Sequence, residues 1–312
     1  MVNIPKDGGS SCLGVGAHHH DHSHASAGRL KVALALLVGL MAVEVVAGVV
    51  ASSLALLSDA AHMLTDAGAL ALALVALRLA ARPARGAMTY GLGRTEILSA
   101  QFNGATLLVL GLLIVYEGVR RLVSPPGVEG AIVLAVALAG VAVNLAATWV
   151  LHGADRRSLN VEGAFQHVLT DLVAFVATAL AGAVVLVSGF DRADGIASLF
   201  VAGVMLRAAW GLLRDSGRVF LEAAPKGVDV RALGTAMVAV PGVREVHDLH
   251  VWEVTSGFPA LSAHVRVGTE NDCHQARMDL EAMLHDRFGI EHTTLQVDHE
   301  GGELLHIQVR GV

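Results

Sequence analysis

Residues 56–80 read Leu56-Leu-Ser-Asp59-Ala-Ala-His62-Met-Leu-Thr-Asp66-Ala-Gly-Ala-Leu-Ala-Leu-Ala-Leu-Val-Ala-Leu-Arg78-Leu-Ala80. A helix of about 20 apolar residues spans roughly 30 Å of hydrocarbon, so this run is long enough to cross a bilayer. Yet it carries Asp59 near one end and, further in, His62 and Asp66. An ionisable side chain there costs several kcal/mol unless it is paired or hydrated, which makes each one a functional candidate. A second apolar run, 164–188, repeats the pattern with His167 and Asp171. In both runs histidine precedes aspartate by four residues, which puts the two side chains one turn apart on one helix face.

Working outward, the rest of the chain agrees with a membrane protein. Of 312 residues 54% are hydrophobic and only 16% charged, too apolar for an ordinary soluble domain. Further apolar runs at 30–51, 97–120, 130–151 and 194–213 bring the expected spans to six and place both termini on one side. Arg78, Arg82, Arg85, Arg94, Arg156 and Arg157 fall on that side, as do Arg29, Lys31, Arg207, Arg214 and Arg218. Arg120, Arg121 and Arg192 fall on the other. Because positive residues are retained in the cytoplasm, both termini are expected there. No basic segment followed by a short apolar core and a cleavage site opens the chain, so the first span is expected to remain as an anchor.

Residues 1–28 are polar, Gly-rich and end in the cluster His18 to His24, which has metal-binding composition but nothing with which to build a core. This tail is expected to be disordered. Residues 29–215 form the expected six-helix membrane domain. Residues 216–312 turn polar, with acidic residues outnumbering basic ones. There the periodicity predicts a helix at 228–240, strands at 243–254 and 260–268, a helix at 272–288, and strands at 292–298 and 304–309. The fold class is therefore a membrane all-α six-helix bundle followed by a small cytoplasmic α+β domain.

Two His-Asp faces turned together supply two imidazole nitrogens and two carboxylate oxygens, a set that suits tetrahedral Zn²⁺. Mg²⁺ and Ca²⁺ prefer more oxygens, while cadmium, cobalt, iron and manganese remain open as substrates. Asp59 sits one turn before His62 and either orients it or is an interfacial residue. Glu44 is a candidate for the translocation path, and Glu117 reads as an interfacial charge beside Arg120 and Arg121. The only cysteines, Cys12 and Cys273, support neither a disulfide framework nor a zinc ribbon. No nucleophile-base pair or nucleotide loop is present: Gly91-Leu-Gly93 lacks a third glycine and a preceding strand. An enzyme, a resident cofactor and a nucleic-acid partner are not expected.

In the polar domain His247 opens one strand, His264 lies on the next and Asp298 ends a third, so these can converge on one edge of a sheet. Four segments, Ser53–Asp66, Tyr90–Leu98, Gly163–Asp171 and His247-Asp-Leu-His-Val-Trp252, together resemble the cation diffusion facilitator family in its zinc-transporting, bacterial branch. The resemblance implies a homodimer in the cell inner membrane that exports metal from the cytoplasm in exchange for protons by alternating access. It also implies a ferredoxin-like cytoplasmic domain. It assigns His62, Asp66, His167 and Asp171 to the transport site, and His247, His264 and Asp298, with His250 as a further ligand, to a cytoplasmic regulatory zinc site. It pairs Arg94 with Glu222. The 82–94 loop lacks the histidine, aspartate or cysteine that a second metal site would need. A metal-responsive membrane sensor or scaffold and a channel stand as rivals. Two ligand pairs inside the membrane argue against a sensor, and the lack of a ring of like charges argues against a channel.

Overall fold

The computed structural model describes residues 17–50, 54–124, 130–190 and 192–300. Six long helices come first: α1 Ala17–Val50, α2 Leu54–Ala80, α3 Arg94–Val123, α4 Gly130–His152, α5 Leu159–Ser188 and α6 Arg192–Phe220. Five of them, within the described residues, are long and apolar enough to cross a membrane. Helix α1 begins at Ala17, so residues 17–28 are helical rather than the disordered tail expected from composition. The His18–His24 side chains lie outside the described residues.

The helices sort into two packed groups. Leu30, Leu37, Leu70, Leu74, Leu77, Leu151, Val161 and Phe165 bury one core among α1, α2, α4 and α5. Leu107, Val201, Met205, Ala209 and Leu212 bury a second, chiefly between α3 and α6. Close approach in the second group depends on glycines spaced seven apart. A Cβ on Gly104, Gly111 or Gly118 would come within 3.1 Å or less of Leu212, Leu206 and Leu199 respectively. Small residues let helix backbones approach where lipid supplies no hydrophobic drive for association. Arg121, near the C-terminal end of α3, ties this pair together by donating to Asp194 on α6 at 2.5 Å, while Glu117 is taken up by Arg121 and Arg120.

The polar region follows the expected order: α7 Val230–Val238, β1 Val243–Thr255, β2 Phe258–Val267, α8 Cys273–Phe288 and β3 His292–His299. Asp229 and Asp272 cap α7 and α8 by accepting backbone N–H groups of their first turns, the capping role their short carboxylates favour. Strands β1 and β2 form an antiparallel hairpin, and β2 pairs with β3 in parallel through the α8 crossover. Leu233, Met237, Leu261, Val265, Val267, Leu280, Leu284 and Ile290 fill the core between sheet and helices. The strand expected at 304–309 lies outside the described residues.

Candidate metal centre

Asp66 and His167 face each other from α2 and α5. His167 Nε2 lies 2.8 Å from Asp66 Oδ1 and 3.9 Å from Asp171 Oδ2. One ligand atom from each of the three lies within 4.8 Å of the others, and all three residues are buried. Helix period explains the convergence: His167 and Asp171 are one turn apart on α5, while the α2–α5 packing brings Asp66 opposite them. The side chains of Asp59, His62 and Glu44 lie outside the described residues. The backbone of His62 is in α2, one turn before Asp66.

Two atoms of this cluster have no hydrogen-bond partner among the described residues: His167 Nδ1 and Asp171 Oδ2. A buried carboxylate oxygen or imidazole nitrogen left unpaired costs free energy that few folds tolerate without a functional return. The arrangement concentrates nitrogen and oxygen donors, two of the residues carboxylates, in a buried seam between two helices. Chemically it can hold a divalent cation, and it can hold protons instead.

A second group lies on the β1–β2 hairpin. His247 and His264 are direct partners across β1 and β2, their rings 5.3 Å apart, and Asp248 joins them within 4.8 Å. His264 Nδ1 lies 3.9 Å from Asp248 Oδ2. Sequence alternation sends Asp248 to the opposite face from His247. A bulge between His247 and His250 breaks the alternation, and Asp248 adopts a left-handed φ of 49°, which turns its carboxylate towards the histidines. The motif contained this residue, but its periodicity could not reveal the bulge.

The structure does not bring the other two expected members, Asp298 and His250, into this group. Asp298 is not in the group, because the parallel register sets Gln296 opposite His264 and Asp298 opposite Arg266; its Oδ2 accepts from Gln296 Nε2 at 2.9 Å. His250 pairs with Ser262 and lines a cleft of about 950 Å³ between the 87–95 loop and the α+β domain. Beside that cleft the expected Arg94–Glu222 pair is formed, at 3.7 Å and largely solvent-exposed. Exposed pairs contribute about 0–1 kcal/mol.

Residues 30–221 match the model of the cation efflux transmembrane domain. The chain belongs to the cation efflux family. Residues 225–300 match the same family's cytoplasmic domain. Among its relatives, the zinc transporter ZitB of Escherichia coli is 40% identical over 275 residues, covering 87% of this chain and 87% of ZitB. The metal cation efflux system protein CzcD of Cupriavidus metallidurans is 41% identical over 271 residues, covering 86% and 85%. A cadmium, cobalt and zinc/H(+)-K(+) antiporter of Bacillus subtilis is 35% identical, covering 87% and 88%. The solved metal-bound C-terminal domain of CzcD is 38% identical, covering 23% of this chain and 99% of that one, with a TM-score of 0.22. Cation efflux proteins of this kind are membrane transporters of metal cations, not enzymes.

Proposed function

We propose that this cation efflux protein exports Zn²⁺ from the cytoplasm in exchange for protons by alternating access. It works as a homodimer in the inner membrane with both termini in the cytoplasm. The observation that carries this reading is the buried meeting of Asp66, His167 and Asp171 between α2 and α5, with two donor atoms left without partners. His62 completes the four-ligand set from the turn before Asp66. Two nitrogens and two carboxylate oxygens match tetrahedral Zn²⁺ better than a hard cation that keeps its waters. The names of the relatives support zinc, with cadmium and cobalt named for the Bacillus protein. No resident cofactor takes part: Zn²⁺ is cargo, and on the cytoplasmic domain a regulatory ligand of His247, His264 and Asp248.

Exchange follows from the ligands. Imidazole and carboxylate bind metal only when deprotonated, so loading the site with metal releases protons and loading it with protons expels metal. A proton gradient therefore drives metal outward. In proteoliposomes, the wild-type protein moves Zn²⁺ in a saturable manner and His167→Ala loses that flux while still forming dimers. Saturable Zn²⁺ transport at the wild-type rate by His167→Ala would overturn the site.

A further inference from the structure

The cytoplasmic end of α5 is tied into its surroundings by side chains rather than by apolar packing alone. Asn160 Nδ2 donates to the Ala73 carbonyl of α2 at 2.8 Å. Ser158 occupies the capping position of α5, yet its hydroxyl makes no bond to its own helix; it donates instead to the Glu96 carboxylate of α3 at 2.5 Å. The first N–H groups of a helix have no partner within it and need an acceptor from elsewhere.

For α5 that acceptor comes from the other domain. Ser256 Oγ, at the turn of the β1–β2 hairpin, accepts the backbone N–H of Leu159, the first residue of α5, at 3.2 Å. The hairpin tip is itself held against the membrane domain. Thr255 Oγ1 donates to the Gly93 carbonyl at 3.0 Å, and Arg94 Nε donates to the Val254 carbonyl at 3.0 Å. The approach is close: a Cβ on Gly93 would lie 3.0 Å from Thr255 Cγ2. One tip thus contacts both the segment leading into α3 and the start of α5.

We propose that Ser256 is a positioning residue for the transport site, capping α5 across the domain boundary and so fixing the helix that presents His167 and Asp171. The inference rests on the transport-site reading above. From Leu159 those two residues lie roughly two and three turns along one helix. Its continuous ladder of hydrogen bonds carries a shift at the first turn to the ligands. The same hairpin holds His247, Asp248 and His264, so a change at that cluster reaches α5 through a single β-ladder.

The test measures Zn²⁺ transport by the full-length protein in proteoliposomes as a function of Zn²⁺ concentration. Ser256→Ala removes the acceptor. Leu159→Pro removes the donor from the other side: proline is accepted at a first helical position, and Ser158, at φ −68° and ψ 124°, already has the backbone a residue before proline adopts. Each variant is expected to raise KM about fivefold, the shift produced by losing a helix cap of ordinary strength, with the maximal rate little changed. The double variant should go no further than either single one, because both cut the same bond. Ser256→Thr, which keeps the hydroxyl, should return KM to the wild-type value. Should Ser256→Ala fail to fold, Leu159→Pro carries the comparison alone. Wild-type KM in the folded variants, or additive effects in the double variant, would overturn the proposal. His167→Ala in the same vesicles separates the two claims: if it transports normally the site reading fails, whereas if it is inactive and KM is unmoved in Ser256→Ala, only the coupling fails.

Discussion

At the residue scale helix period was enough to put His167 and Asp171 on one face, and the structure sets Asp66 opposite them; the side chain of His62 lies outside the described residues. The other details depended on backbone geometry that no period reports. Asp248 joins His247 and His264 only through a bulge and a left-handed φ, and Asp298 is set aside by a parallel register that a sequence cannot fix. The abundance of histidines in the cytoplasmic domain also misleads by count, since several have ordinary partners. His285 Nδ1 lies 2.9 Å from the Asp286 carboxylate. That hydrogen bond, with the negative charges of Asp286 and Glu291, holds its pKa above the usual histidine value. A raised folded pKa means the imidazolium's stabilising contact is complete below the unfolded value and is lost as pH rises through the folded one. Proton NMR of the His285 ring should show its titration moving downward in Asp286→Asn. An unmoved midpoint would dissociate the pair.

At the element scale, the six spans and the order of helices and strands after Pro225 could be read from apolar run length and from the change of period. Their ends could not. Helix α1 starts well before its apolar run because a polar segment leading directly into a membrane helix can continue the same hydrogen-bond ladder, whatever its hydropathy. Helix α5 begins at Leu159, ahead of the apolar run, where Ser256 accepts the first N–H of the helix and Asn160 donates to the Ala73 carbonyl of α2. The pairing of α3 with α6 was also invisible, although Gly104, Gly111 and Gly118 were in plain view, since the spacing of glycines does not name the helix they meet. Filling that contact tests it. Gly111→Leu should overpack the seam against Leu206 and cost about 1–3 kcal/mol, read as a lowered thermal midpoint of the purified protein in detergent. A midpoint equal to that of wild type would mean that α3 and α6 are not closely packed there.

At the scale of the whole molecule, the proposed cation site lies between α2 and α5 of one helix group, α3 and α6 form a second, and the β1–β2 hairpin touches both through Gly93, Arg94 and Leu159. Alternating access then requires one group to move relative to the other while the hairpin follows. The energy for that motion is expected to come from protons competing with metal for the same ligands. Zn²⁺ uptake into everted vesicles should therefore fall sharply when the pH gradient is collapsed; uptake that continues unchanged would remove proton exchange from the account. The most direct measurement of the central claim is the metal content of the purified full-length protein in which His247 and His264 are replaced by alanine, so that the membrane site stands alone. Mass spectrometry should find Zn²⁺ bound to that protein and lost when His167→Ala is added. Equal Zn²⁺ content with and without His167 would contradict the assignment of Asp66, His167 and Asp171 as the seat of the transported ion.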